Sequence, residues 1–337
     1  MKIMVTGGLG FIGTEFVRLL LDETDHFVVI VDKQTYAANE YWWEGKNQGP
    51  YEGRMRLYID DIVNANTHDW PVVDAIIHFA AETHVDNSIG KASPFIHTNV
   101  NGTHKLLEYA REVGVEKFLF VSTDEVYGCT PVSSQKCFSE KDQLNPRNPY
   151  SATKAAGELL CEAYRNTYDV PILITRSCNN YGPFQHDEKL IPTVVRSLAE
   201  GKPIPVYGRG ANVREWIPVE ENCRGILEVF ERGRVGDIYN IGSGWRLPNL
   251  ELVIRIIDFF GEGSLTFVKD RLGHDLRYAL DSSKIAADLD WYASSPHKMW
   301  DKFEDTLLWY GGRYHYETAL KLAEKKANST PTQMHLL

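Results

Sequence analysis

Tyr150 and Lys154 stand four residues apart in YSATK (150–154), a spacing that puts both on one face of a helix. A phenol titrates near about 10 and is a poor base at neutral pH. A neighbouring ammonium favours the phenolate, so the pair predicts a lowered value for Tyr150, and a nicotinamide's positive charge would add to it. Tyr150 could then take a proton from an alcohol while hydride leaves the same carbon for NAD. By itself the spacing is common. It gains weight from a dinucleotide loop upstream, TGGLGFIG (6–13), where Gly7, Gly10 and Gly13 lie between a strand-like run and a helical one. Glycines there let backbone approach a pyrophosphate, which the free N–H groups of the helix start then face. Asp32 ends the next strand-like run, where a carboxylate accepts both ribose hydroxyls and repels a 2′-phosphate, which favours NAD over NADP. Lys33 follows it and softens that exclusion. Asp61, after the run RLYI (56–59), could reach the adenine edge or could be a surface loop acid.

A second constellation is STDEVYG (122–128), where Thr123, Asp124 and Glu125 follow the apolar run FLFV (118–121). Two adjacent carboxyls in one low-dielectric pocket resist double ionisation, so one is held protonated. That would supply an acid and a base side by side. Capping of the next turn is the plainer use of such residues.

The elements that must position these groups are legible from hydrophobic periodicity. KIMV (2–5), FVVIV (27–31), RLYI, AIIHF (75–79), FLFV and ILIT (172–175) read as buried strands. Residues 11–21 carry apolar side chains at helical spacing. Ser93-Pro94 predicts an N-cap and first-turn proline for a helix running through Ala110. Ala152, Ala155, Ala156, Leu159, Leu160, Ala163 and Tyr164 form another helical stripe. This alternation predicts an α/β fold, a Rossmann-type doubly wound parallel sheet. After about residue 175 glycine and proline thicken and elements shorten; IYNI (238–241) reads as a strand, and a helical pattern covers Asn249 to Phe260. The expected organisation is a dinucleotide-binding domain over 1–176 that also carries the catalytic residues. A smaller C-terminal lobe over 177–325 follows, with some chain returning to the first domain, and a flexible tail spans 326–337.

The bulk numbers exclude little else. The chain of 337 residues is 43% hydrophobic and 24% charged, with net charge −10. Such a field does not draw in nucleic acid or an anionic membrane. Five cysteines (129, 137, 161, 178 and 223) show no Cys-x-x-Cys spacing and predict free thiols in a reducing cytoplasm. The eleven histidines form no ligand pattern, so no metal is expected. MKIMVTGG shows no signal peptide, and no stretch approaches the ~20 apolar residues of a membrane span.

In order along the chain, Gly7/Gly10/Gly13, Asp32, HFAAETHVD (78–86), STDEVYG and Tyr150/Lys154 resemble the extended short-chain dehydrogenase/reductase superfamily. Within it the sequence is similar to the nucleotide-sugar 4,6-dehydratases, the dTDP-glucose branch most of all. NNYGPFQHDEKLIP (179–192), PVYGRGANVREW (205–216) and DRLGHDLRYALDSSKI (270–285) extend the likeness to about residue 310. The resemblance implies a hydro-lyase. Tyr150 and NAD would oxidise carbon 4 of a hexose, and Thr123 would hydrogen-bond the oxygen there. Glu125 would remove the carbon-5 proton and a protonated Asp124 would donate to the departing carbon-6 hydroxyl. It also places Phe11, Ile12, Thr35, Ile62, Phe79, Ala80, Ala81, Asn99 and Asn179 at the dinucleotide, with Lys33 and Asp61. Around a nucleotide-sugar substrate it places Thr83, Asn180, Glu188, Lys189, Leu190, Pro205, Tyr207, Arg214, Asn249, Arg271 and His274. Arg214 and Arg271 are the physically expected diphosphate partners, because guanidinium pairs bidentately with phosphate oxygens.

Four departures bear on which nucleotide is preferred, dTDP or UDP. Asn87 and Leu272 stand where many relatives carry Arg and Pro, Cys178 where Ser is usual, and 41–53 is unusually aromatic. A 4-epimerase or decarboxylase shares the oxidation step, and Asp124 is what separates it from this reading. A non-catalytic NAD-binding regulator has no need of Tyr150 or Lys154. The resemblance further implies a homodimer through helices near 93–111 and 150–167, for which Leu106, Leu107, Leu159 and Leu160 are available, although simple core packing explains these leucines as well.

Overall fold

The computed structural model describes residues 1–39 and 51–329. The aromatic residues 41–50 and the tail from 330 lie outside the described residues. The strands are β1 (Lys2–Thr6), β2 (Phe27–Asp32), β3 (Met55–Ile59), β4 (Ala75–His78), β5 (Lys117–Thr123), β6 (Ile172–Ser177), β7 (Asn179–Tyr181), β8 (Ile204–Tyr207), β9 (Val213–Pro218), β10 (Ile238–Ile241), β11 (Arg246–Pro248) and β12 (Leu265–Val268). Seven of them form one sheet in the order β10-β6-β5-β4-β1-β2-β3, and every pairing in it is parallel. β9 pairs with β11 and β7, and β8 with β12, in two small sheets.

A parallel sheet is covered on both faces, which is why its central strands are apolar throughout rather than alternating. Ile3, Val5, Val28, Ile30, Ile77 and Leu119 point to one side, against Phe16, Val17 and Leu20 of the helix Phe11–Glu23 and Ile226, Val229 and Phe230 of the helix Val219–Arg232. Met4, Val29, Val31, Ile76, Phe118 and Phe120 point to the other, against Leu106, Leu107, Cys161 and Tyr164. A separate core under the small sheets gathers Tyr181, Trp216, Trp245, Phe303 and Tyr310.

Two expectations change. Ser93 is not a cap: Ala92 before it is already helical, and Ser93 is the first helical residue of a run through Val113 that contains a π-turn over Ile96–Gly102. Leu106 and Leu107 are fully buried against the sheet and form no outer surface, whereas Leu159 is 63% exposed. β10, far along the chain, pairs with β6 in the large sheet, so the chain does return to it after the first small strands.

One buried ion pair braces the strands beneath the site. Arg176 of β6 meets Glu158 at 2.6 Å with both side chains almost wholly enclosed. Arg176 also donates to Tyr127, which donates to Asn240 of β10. Removing one partner of such a pair strands a buried charge, so Arg176→Met is expected to cost about 3–5 kcal/mol in urea unfolding. The double variant Glu158→Leu/Arg176→Met should recover most of that loss.

Candidate active site

The sheet order reverses between β1 and β4, and the cleft opens there, at the carboxyl ends of the strands. The turn after β1 is held by Gly7 N–H to Val31 O (2.9 Å) and Gly10 N–H to Gly7 O (3.0 Å). Gly7 has φ +71°, and a Cβ there would lie 2.6 Å from Ala80 N; one on Gly13 would lie 2.1 Å from Gly7 O. Only glycine fits either place, and the result is a backbone cradle at the start of the helix Phe11–Glu23. Asp32 lies at the rim, accepting from Leu9 N–H (3.0 Å) and Gln34 N–H (2.8 Å). Burial raises its proton affinity, against those N–H groups and Lys33. Lys33 itself is engaged elsewhere, with Glu82 at 3.0 Å and Thr98 at 3.3 Å. The softening expected of Lys33 is thereby reduced, and the cradle and its carboxylate fit NAD.

Phe11, Ile12, Thr35, Ile62, Phe79, Ala80, Ala81 and Asn179 all face this cleft, as expected. Asp61 and Asn99 make their contacts within the protein. Asp61 accepts from Val63 N–H (3.0 Å) within its own turn, and the wall is made by Asp60 and Ile62. Asn99 clamps the backbone of Glu82 from both sides, at 2.8 and 3.0 Å, and donates to Thr153. It thereby fixes the loop after β4 rather than lining the cleft.

Thr123 ends β5, and Asp124–Tyr127 form a 3-10 turn that it caps: its hydroxyl accepts from Glu125 N–H (3.3 Å) and bonds Asp124 Oδ1 (3.3 Å). Capping therefore falls to the hydroxyl, and the two carboxyls are left for the cleft. Their surroundings differ. Asp124 is 3% exposed, and its Oδ2 has no hydrogen-bond partner among the described residues. Burial, then the charges of Glu125 and Glu215, push its proton affinity well above the usual carboxylate range. Burial raises Glu125 as well, but the Asn148 amide at 3.2 Å, Arg214 and Arg271 oppose it; the Tyr278 hydroxyl lies 3.4 Å away and gives its hydrogen to Asp275. Of the two, Asp124 is shifted further toward its protonated form.

The helix Pro149–Tyr168 carries Tyr150 and Lys154, and both face the cleft. Asn148 caps it: Ser151 N–H donates to its side chain at 2.9 Å and the Ser151 hydroxyl accepts from its backbone N–H. The same Asn148 amide reaches Glu125, so one residue starts the helix and orients that carboxyl. The expected lowering of Tyr150 by Lys154 is not what the protein alone produces. Burial, then Glu125 and Asp124, push the phenol up, and the Thr123 hydroxyl opposes them. Lys154 donates to Val121 O at 2.8 Å over the Phe120 ring, and burial brings its pKa down to about 8. The desolvation of both groups outweighs their mutual help.

Thr83, Asn180, Glu188 and Lys189 line the same cleft. Leu190, Pro205, Tyr207, Arg214, Asn249, Arg271 and His274 lie beyond it, on the small sheets and their loops. Leu190 opens the helix Leu190–Ala199 and Asn249 the helix Asn249–Phe260, while Pro205 is an exposed residue of β8. Arg214 lies 4.3 Å over the Tyr278 ring and donates to Asp275 O at 3.0 Å. His274 meets Asp270 at 2.6 Å and turns its edge to Tyr207. Three site residues escaped the sequence reading: Asn148, whose Asn-Pro step was a usable cap signal, and Tyr278 with Asp275, which carry none.

The cradle, the acidic rim and a Tyr-Lys helix facing one cleft define a nicotinamide-dependent enzyme on a Rossmann sheet. The chain belongs to the NAD dependent epimerase/dehydratase family, which matches residues 3–242, and NAD is its cofactor. It is 50% identical over 299 residues to the low-salt glycan biosynthesis protein Agl12 of Haloferax volcanii (86% of this chain, 93% of the relative). It is 41% identical over 334 residues to the dTDP-glucose 4,6-dehydratase of Haemophilus influenzae (92% and 98%). The crystal structure of the dTDP-glucose 4,6-dehydratase DesIV of Streptomyces venezuelae, with NAD bound, matches with a TM-score of 0.88 at 43% identity, covering 95% of this chain and 100% of that one.

Proposed function

We propose that the chain is a nucleotide-sugar 4,6-dehydratase that converts an NDP-hexose, dTDP-glucose in the first place, to the 4-keto-6-deoxy sugar nucleotide. The observation that carries this reading is the unequal pair in one cleft with Tyr150: Asp124 meets only the Thr123 hydroxyl, while Glu125 meets the Asn148 amide and the charges of Arg214 and Arg271. NAD held by the Gly7–Gly13 cradle and Asp32 would supply the chemistry of accepting hydride from carbon 4 and returning it at carbon 6. Tyr150, as the phenolate that the nicotinamide's positive charge would favour, receives the proton of the carbon-4 hydroxyl, which Thr123 orients. The resulting ketone acidifies the hydrogen on carbon 5, and Glu125 removes it. Asp124 protonates the carbon-6 hydroxyl, which departs as water, and Glu125 returns its proton to carbon 5. One cycle leaves Tyr150 with an extra proton and Asp124 short of one. The Thr123 hydroxyl touches both, so it can carry the proton that resets them. Each such transfer contributes about 10²–10⁴ in rate.

In this reading residues 1–176 hold NAD and the reacting groups, and 177–325 supply the grip on the nucleotide. Arg214 and Arg271 take the diphosphate. A panel of dTDP-, UDP-, GDP- and CDP-hexoses assayed by mass tests it: the true substrate loses one water. An epimerase would return unchanged mass with an altered sugar, and no change of any kind would refute both. The five free thiols suit a reducing compartment, and we place the enzyme in the cytoplasm.

Leu159, Ile96 and Tyr168 leave an exposed apolar set on the two outer helices. With Leu106 and Leu107 buried, these are the contacts we assign to a homodimer. Leu159→Glu is expected to halve the mass measured by light scattering; an unchanged mass removes that interface.

A further inference from the structure

Arg271 and Tyr207 are given to the nucleotide in the reading above, yet one carboxylate of the protein already holds both. Asp86 lies in the first turn of the short helix Val85–Gly90, on the dinucleotide side of the cleft. Tyr207 donates its phenol to Asp86 Oδ2 at 3.2 Å, and Arg271 Nη1 lies 3.7 Å from Asp86 Oδ1. The contact is incomplete. Asp86 Oδ1 and Arg271 Nε are both shielded from solvent, and neither has a hydrogen-bond partner among the described residues. Charge rather than fit holds this pair, since a well-formed arginine–carboxylate contact makes two parallel bonds at under 3 Å. A diphosphate offers the same guanidinium more charge and more acceptors. Two further ties cross the cleft nearby, Lys189 to Thr83 O (3.3 Å) and Tyr36 to Glu188 (3.2 Å), but neither puts an anion where the substrate's anion belongs.

We propose that Asp86 is an internal competitor of the substrate's diphosphate, holding Arg271 and Tyr207 until an anion displaces it. It rests on the reading of Arg271 as a diphosphate ligand. While Asp86 holds the guanidinium, only the fraction of molecules with Arg271 released binds an anion, and the apparent affinity for anions is reduced by that fraction. A diphosphate outbids one carboxylate; a free sugar makes no bid for Arg271. The residue thus sets how tightly an anionic ligand is held, and leaves ligands without an anion untouched.

Asp86→Asn keeps the shape and an acceptor for Tyr207 and removes the charge. By titration calorimetry, inorganic pyrophosphate and dTDP are expected to bind this variant about five- to tenfold more tightly than the parent. Thymidine, without phosphate, should bind the two alike. General relief of negative charge would tighten anions whether or not Arg271 is present, so the same change is made in Arg271→Gln, where it is expected to do nothing. Pyrophosphate binding unchanged or weakened by Asp86→Asn overturns the proposal, and so does a gain that survives in the Arg271→Gln background. Should pyrophosphate show the gain while dTDP fails to bind even the parent, the nucleotide assignment is at fault and the role of Asp86 stands. Asp86→Ser provides the same comparison with a smaller neutral side chain.

Discussion

Tyr150→Phe is expected to lower kcat by about 10³-fold or more, and no transient absorbance of reduced cofactor should appear when substrate is mixed with enzyme. The argument is one of position as well as type. Tyr150 is buried beside Thr123 at the bottom of the cleft, and its backbone N–H is held by Ser88 at 3.3 Å. Phenylalanine preserves the ring's edge contact with Phe95 and removes the atom that takes the proton. Asp124 and Glu125 push the phenol toward its protonated form, so neither carboxyl helps it ionise. Turnover within tenfold of the parent would take Tyr150 out of the proton transfer.

The two carboxyls should separate just as sharply. Glu125→Gln is expected to leave the oxidation at carbon 4 in place and stop the cycle there. Reduced cofactor should accumulate on mixing, with product formation down about 10²–10⁴-fold. Asp124→Asn should block loss of the carbon-6 hydroxyl by a similar factor. Its pH signature differs, because Asp124 acts while protonated: parent activity falls as pH rises through its elevated pKa, and the variant lacks that limb. The same shift has a stability consequence. A carboxyl whose folded pKa lies above its unfolded value is matched between the two states at low pH. As pH rises past the unfolded value, only the unfolded chain releases its proton, and stability falls. Asp124→Asn removes that loss, so at neutral pH the variant should melt higher while turning over less. A lower melting temperature would show that Asp124 is not held in the costly state described.

Much of this was readable before any coordinates. The strands were legible because both faces of a parallel sheet are covered, which turns each into a short apolar run. Gly7 and Gly13 were legible because a close backbone approach admits no other residue. Tyr150, Lys154, Asp124 and Glu125 were legible because each group lies within one turn or one strand end. Tyr278 and Asp275 were not, since only the folded chain brings them to Glu125. Ser93 misled because a serine before proline looks the same one position inside a helix as at its boundary. Leu106 and Leu107 misled because an apolar stripe does not say which of two neighbours it meets. The direction of the Tyr150 shift was missed for a physical reason: spacing reveals a nearby charge but says nothing of the solvent lost around it.

The placement of β10 bears on how this enzyme can be altered. The polypeptide crosses from the large sheet to the small ones and back before it ends, so neither part corresponds to a single cut of the gene. Exchanging everything after residue 176 for the equivalent half of a relative would carry off an edge strand of the cofactor-binding sheet along with two of its covering helices. A change of nucleotide preference is better sought in loop grafts around 205–214 and 270–274, which leave every strand of that sheet with its native neighbours.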